Sequence, residues 1–354
     1  MGIVCLASLK GGVGKTSIAI NIGHAFAKRG CRTLLIDLDP TAHTSHYFNI
    51  GELSPGDPDT SLAKLFLGLR NQDPTQYCQE SLERSLNGEA KFIQPVRANL
   101  DIIHSSSELR YFYWGRGARI FCSLFSRLIS ELKNEYDHII IDTPPDFNVL
   151  VRNAVAVSDL VLVPVDSSSM SIHCMEDIIG CCSHINGPSW GIIRNLVGKN
   201  AKKIQRLSQS RLEKHLSLSK ETSSLPSEYS EEEELDSSFF QLMESEQEVF
   251  TKDSKVSFLR DSSSIQNSKP IDDTIYLLNA VINRTEQQNK LSYLNKTAFD
   301  LRETSALAEQ YVILAREIEE LLYIVSDEMN LLEDDTEDTD DLDDNDLWLE
   351  ASGV

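Results

Sequence analysis

The residues with the most chemical content stand near the amino end, in Leu9-Lys10-Gly11-Gly12-Val13-Gly14-Lys15-Thr16-Ser17. Glycines at 11, 12 and 14 let the backbone fold into a nest of N–H donors around phosphate oxygens. In such a loop Lys15 reaches the β- and γ-phosphates of a nucleotide, and the Thr16 hydroxyl is a ligand for Mg. The context is the one this chemistry needs. An apolar run from Ile3 to Leu9 reads as a strand, and Ser17 to Arg29 reads as a helix that stops at Gly30. Leu9 stands where the general P-loop pattern has its first glycine.

Two further apolar runs end in aspartates: Leu34-Leu35-Ile36-Asp37-Leu38-Asp39-Pro40, and Tyr136-Asp137-His138-Ile139-Ile140-Ile141-Asp142-Thr143-Pro144-Pro145. With Lys10-Gly11-Gly12-Val13-Gly14-Lys15-Thr16 they resemble, in order, the three boxes of the ParA/MinD family of deviant Walker A ATPases, which tolerates a non-glycine at the first position. That resemblance implies Mg-dependent hydrolysis of ATP. It implies that Lys10 matches the family's signature lysine, which reaches across an ATP-sandwich homodimer to the partner's phosphates. Asp39 is then the residue that orients the attacking water, Asp37 lies near Mg, and Asp142 holds Mg through water. Catalytic work falls to Lys10, Lys15 and Asp39. Residues 10 to 17 bind the phosphates, and Thr16, Asp37 and Asp142 serve the metal. Asn283 and Arg284 fall where relatives read the adenine base. The chain departs from the family pattern at Thr41-Ala42-His43, where Gln-Gly-Asn is common, and at Asp146, where a small polar residue is usual. These departures bear on the switch geometry and on the rate.

The elements that must position these residues alternate between strand and helix. Thr33 to Asp37, Leu100 to His104, His138 to Asp142 and Leu160 to Val165 read as strands, and Arg119 to Lys133 reads as a helix. The runs Leu34-Leu35-Ile36 and Ile139-Ile140-Ile141 are apolar on both faces, so their sheet is buried on both sides. The expected fold is α/β, a mostly parallel sheet with helices on both faces, of the P-loop NTPase class. Residues 1–195 form the ATPase core. Residues 196–273, rich in Ser, Glu and Lys, read as a largely disordered insertion with a basic start and an acidic middle. Residues 274–326 complete the domain with a strand at Thr274 to Ile282 and a helix at Ala306 to Val325. An acidic tail, 327–354, is expected to be disordered after Asn330.

The formal net charge is -22. Residues 220–254 carry eleven acids against two bases, and residues 327–350 carry thirteen acids and no base, so these two segments hold the whole excess. A local basic face is therefore compatible with the composition. Between Trp190 and His215 lie Arg194, Lys199, Lys202, Lys203, Arg206, Arg211 and Lys214 against Glu213 alone. Such a run tracks phosphates without reading sequence, or is a solvated helix face. By the resemblance, Arg302 falls where relatives present an arginine to DNA. The same resemblance implies a ParB-like stimulating protein and a partition or positioning role. The alternative is a nucleotide-switched regulatory scaffold that binds a protein without DNA.

The carboxyl end is acidic, which disfavours a membrane anchor on anionic lipid. No apolar run is long enough to span a bilayer, and the start carries no basic flank. The expected location is cytoplasmic, with nucleoid association compatible with the DNA reading. Seven cysteines without a C-x-x-C pair read as reduced thiols. A reductase related to the nitrogenase iron protein shares the phosphate boxes but needs cluster-ligating thiols on a dimer axis. Nothing in the placement of Cys174, Cys181 and Cys182 supplies them.

Overall fold

The computed structural model describes residues 1–50, 60–67, 80, 83–84, 92–166, 168–182, 185, 187–197, 269–272, 275–283, 291, 296–300 and 305–337. Among these, nine strands form one sheet: β1 (Gly2–Leu6), β2 (Thr33–Asp37), β3 (Ile93–Arg97), β4 (Leu100–Ile103), β5 (His138–Asp142), β6 (Leu160–Val165), β7 (Ser189–Val197), β8 (Lys269–Asp272) and β9 (Ile275–Asn283). Their order is β3-β4-β2-β5-β1-β6-β7-β9-β8. Every pairing from β4 through β9 is parallel, and only the two edge strands, β3 and β8, run antiparallel to their neighbours.

The helices are α1 (Lys15–Lys28), α2 (His43–Tyr47), α3 (Leu62–Leu67), α4 (Gly115–Leu132), α5 (Val149–Ala156), α6 (Ser169–Cys181) and α7 (Ala306–Glu337). They cover both faces, and the strand pleat explains why the strands are apolar throughout. Within β1, Ile3, Cys5 and the following Ala7 enter the core beneath α3, α4, α5 and α6, whereas Val4 and Leu6 enter the core beneath α1 and α7. Ile139 and Ile141 of β5 go to the first core and Ile140 to the second. No helix among the described residues is long and apolar enough to cross a membrane.

Boundaries differ from the sequence reading where polar residues do structural work. β1 ends at Leu6, three residues before Leu9, because the chain turns there into the phosphate loop. α1 begins at Lys15 rather than Ser17, since Lys15 and Thr16 belong to the first helical turn. It stops as expected. Gly30, at φ 92°, donates its N–H to Ala27 O, and Cys31 donates to Phe26 O, which is a Schellman turn. α4 starts at Gly115, four residues before Arg119. Strand β7 runs to Val197 and β8 occupies 269–272, both inside the segment expected to be a disordered insertion. β8 is organised by edge pairing on β9. α7 continues to Glu337, past Asn330 where disorder was expected. Asp and Glu oppose an aqueous helix only weakly, and extending a formed helix by one residue is far easier than nucleating one.

Candidate functional site

β1, β2 and β5 lie side by side, and their register brings the motifs together. Leu6 of β1 and Asp37 of β2 are both paired with Asp142 of β5, so the two aspartates leave the carboxyl edge of the sheet next to each other. This edge is where parallel α/β sheets present their sites. The phosphate loop, running from β1 into α1, opens at the same edge.

The loop's backbone needs its glycines at two positions. Gly12 has φ 77° and Gly14 has φ 91°, a left-handed region that side chains disfavour. Gly14 is the N-cap of α1 and offers no side-chain cap. The first N–H groups of α1 are therefore left for an anion, which the helix dipole also favours. Lys15 is buried, with Nζ donating to Ser8 O at 3.2 Å. Burial pulls its pKa down, opposed by Asp142, Asp39 and Asp146. Such a group gains by meeting phosphate charge.

The acidic cluster is organised around two strand ends. Asp142 Oδ2 accepts from Thr16 Oγ1 at 2.7 Å and from Thr44 Oγ1 at 2.6 Å. Its other oxygen, Oδ1, is buried and has no hydrogen-bond partner among the described residues. Burial raises the pKa of Asp142, with the two threonine hydroxyls and Lys15 pulling the other way. A buried carboxylate oxygen beside the loop threonine fits the coordination demands of Mg, a hard cation that takes one or two carboxylates together with phosphate oxygens. Asp37, expected near the metal, stands beside Asp142 in the strand register, and both of its oxygens accept from the segment that follows β2. Oδ2 accepts from Ser45 N at 2.9 Å and Ser45 Oγ at 2.6 Å, and Oδ1 accepts from Asp39 N at 3.1 Å. It orders the loop that follows β2. Burial, then the charge of Asp142, pushes its pKa up to about 8.

Asp39 lies on that loop, with Oδ1 accepting from Thr41 N at 2.8 Å and Thr41 Oγ1 at 2.7 Å. Thr41 is one of the departures from the family pattern, and here it holds the carboxylate that the pattern assigns to water. The next residue, Ala42, has φ 56°, an uncommon conformation for a residue with a Cβ. Ser105 Oγ donates to Asp39 O at 2.6 Å, fastening the loop to the end of β4.

Lys10, expected to face a partner, is engaged within its own chain. Its Nζ donates to Asp166 Oδ2 at 2.6 Å and Ser168 Oγ at 2.7 Å. Burial pushes the Asp166 carboxyl up, but hydrogen bonds from Lys10 and Ser168 outweigh it and the net direction is down.

Asn195, near the end of β7, was not singled out by its sequence. Its Nδ2 donates to Val13 O at 2.6 Å, and its Oδ1 is buried without a partner among the described residues. A Cβ on Gly14 would come within 2.3 Å of that amide. The available signal was a polar residue two positions after Ile193 in the run Ile192-Ile193-Arg194-Asn195; only the fold shows that it is buried, on a strand two places from β1 in the sheet. Asn283, the residue expected to read the base, ends β9 one strand further out. Its backbone N–H donates to Gln310 Oε1 of α7 at 2.9 Å. Arg284, Lys199, Lys202, Lys203, Arg206 and Arg302 lie outside the described residues.

Comparison with known proteins follows the same outline. Over 163 residues the chain is 34% identical to the chromosome partitioning protein ParA of Myxococcus xanthus, covering 46% of this chain and 51% of that one. It is 28% identical over 177 residues to the sporulation initiation inhibitor protein Soj of Bacillus subtilis, covering 50% and 63%. The match thus spans about half to under two thirds of these curated relatives. Among solved structures, apo McdA of Cyanothece superposes with a TM-score of 0.59 over 90% of this chain and 98% of its own, at 14% identity. The ATP complex of a singly substituted Cyanothece McdA gives 0.56 over 91% and 96%, also at 14%. Those two likenesses concern the fold. Residues 1–188 match the AAA domain family model, and with more than half of its length inside that model and ParA and Soj among its relatives, the chain belongs to this family in its ParA/MinD group of P-loop ATPases.

Proposed function

We propose that the chain is a slow, Mg-dependent ATP hydrolase whose ATP-bound form is a homodimer that partitions or positions a large cargo. The observation that carries this reading is the pairing of an α1 terminus without a side-chain cap, at Lys15, with the buried Asp142 Oδ1 beside Thr16, which has no partner among the described residues. Phosphoryl transfer asks a protein chiefly to position water and spread charge over the transferred oxygens. Lys15 and the loop N–H groups would supply charge stabilisation, and Asp39 would orient water once Thr41 releases it. Thr16 and Asp142 would hold Mg, which neutralises phosphate charge when bound. Lys10 would complete the partner's site after leaving Asp166. Removal of the γ-phosphate would then dissolve the dimer, making ATP a timer for the assembled state.

The names of the ParA relatives support a partition role, and Lys199, Lys202, Lys203, Arg206 and Arg302 remain candidate contacts for non-specific DNA. A ParB-like protein is the proposed stimulant. A specific observation favours the scaffold as a second reading. Tyr111, Trp114, Phe147 and Met170 are exposed, and each lies in a segment leaving the carboxyl end of a strand, the edge that holds the phosphate loop. Exposed apolar side chains in these segments would suit contact with a protein partner.

Retention of DNA measured with ATP, with ADP and with Lys15→Ala separates the two. ATP-dependent retention lost in Lys15→Ala supports the partition reading. ATP-dependent dimerisation without retention at low salt supports the scaffold. A chain that binds no nucleotide in the presence of Mg refutes both. Deleting residues 327–354 is expected to strengthen DNA binding at low salt, because the acidic tail competes for the same bases.

A further inference from the structure

At the opposite edge of the sheet, three residues of different chemistry converge from three elements. Cys31 leaves the Schellman turn that ends α1, His138 opens β5, and Glu319 lies on α7. The sulfur, one ring nitrogen and one carboxylate oxygen all lie within 4.8 Å of one another. We propose that Cys31, His138 and Glu319 form a site for a borderline divalent cation of the Zn2+ class, a structural clamp that fastens α7 to the amino-terminal edge of the sheet.

The mixed S, N and O donor set suits such an ion and excludes hard cations such as Mg or Ca, which take oxygen ligands. Donors on a Zn tetrahedron stand roughly 3.3 to 3.8 Å apart, given metal–ligand distances of about 2.0 to 2.3 Å. His138 Nε2 and Glu319 Oε1 are 3.9 Å apart, so closure onto an ion needs only small side-chain movements.

His138 provides an independent indication. Its ring is buried and stacked on Phe26 at 4.2 Å between centroids, which fixes its plane. Nε2, the nitrogen that faces Glu319, stands 3.9 Å from its Oε1, beyond hydrogen-bond length. Burial, then the chain's amino terminus, lowers the ring's pKa to about 4, so a neutral imidazole has a lone pair to offer there. Glu319 is oriented as a metal ligand usually is: Arg29 Nη1 holds Oε2 at 2.6 Å, and Oε1 is the oxygen facing His138. Arg29 also opposes a cation electrostatically, so affinity depends on the thiolate that Cys31 would contribute. Burial, together with Glu319 and Asp137, keeps that thiol protonated without an ion, and binding would release its proton.

The full-length chain, stripped with chelator under reducing conditions, tests the site by titration with Co2+ and then Zn2+. One equivalent of Co2+ should produce a near-ultraviolet thiolate charge-transfer band, which Zn2+ displaces. Cys31→Ser should abolish the band, and Glu319→Gln should weaken binding at least tenfold. Asp142→Asn should retain the band, since the phosphate site contributes no thiolate. Zn2+ should also raise the thermal midpoint of the parent chain but not of Cys31→Ser. Absence of the band in folded parent protein overturns the proposal. So does a band kept in Cys31→Ser.

Discussion

Lys10 Nζ lies 2.6 Å from Asp166 Oδ2, which holds the first lysine of the phosphate-loop motif against the loop after β6 of its own chain. Both side chains retain about a quarter of their exposure, 23% and 24%, so the pair is worth about 0.2 to 1 kcal/mol. If Lys10 serves a partner's phosphates, it must first give up this contact and its bond to Ser168. Both protomers of the dimer give up the contact, so Asp166→Asn is expected to tighten the ATP-dependent dimer by up to about thirtyfold, the factor equivalent to about 2 kcal/mol. Sedimentation at a series of protein concentrations in ATP reads this directly. A weaker dimer would show that Asp166 presents Lys10 to the partner and does not restrain it.

The neighbouring aspartates give the nucleotide-free protein a pH dependence whose sign is opposite to that of an ordinary salt-bridged carboxylate. Asp37 titrates near 8 when folded, raised by burial and by Asp142, against about 3.9 when unfolded. Between these values the folded state binds more protons than the unfolded state. Stability is therefore highest near the bottom of this window and falls as pH rises through about 8. Thermal midpoints of chelator-treated protein should decline from pH 5.5 to 8.5. Asp142→Asn should flatten the decline, because it removes the charge that the proton on Asp37 avoids. A midpoint that climbs with pH across this range would mean that the two carboxylates are not mutually buried in solution.

Gly14 and Asn195 should behave as one unit. Gly14→Ala forces a Cβ into a left-handed backbone and to within 2.3 Å of the Asn195 amide. Asn195→Ala leaves the buried Val13 carbonyl without that amide, a cost of about 1 to 3 kcal/mol. Either change is expected to lower ATP affinity by about tenfold or more, since about 1.4 kcal/mol corresponds to tenfold. The double variant clears the clash but keeps the backbone strain, so it should recover part of the Gly14→Ala loss and not all of it. Calorimetric titration with ATP checks this. Full additivity would separate the two residues.

Much of the phosphate site was legible because its information is local. A strand, three glycines, Lys15, Thr16 and a helix follow one another within a few residues, and the spacing alone dictates the loop. Asp142 was legible through the resemblance of residues 136–145 to the family's third box, and the structure sets it beside Thr16. What could not be read were contacts made across the sheet. Asn195 meets Val13 over 182 residues, Lys10 meets Asp166 over 156, and Thr44 meets Asp142 over 98. None of these pairs leaves a periodicity in the sequence, because strand order decides who meets whom. Asn283 ends β9, one strand further out than β7, and its part in reading a base rests on the family resemblance, whereas Asn195 on β7 is a side chain that touches the loop. Helix ends were misjudged by a few residues at Lys15 and Gly115 because capping there is left to the backbone.

The closing helix offers a test of how far the carboxyl-terminal part supports the nucleotide core. Leu314 and Ile318 of α7 are fully buried, in the same core as Ile18, Ile22 and Phe26 of α1. Truncating either to Ala leaves a cavity in that layer and is expected to cost about 2 to 5 kcal/mol. α1 also presents Lys15 and Thr16, so a loosened α7 should be felt at the phosphate loop. Saturating ATP and Mg should then restore more thermal stability to Leu314→Ala than to Leu314→Ala combined with Lys15→Ala, because binding favours the folded state by mass action. Equal rescue in the two backgrounds would show that the ligand stabilises some other part of the chain, and would detach α7 from the energetics of the site.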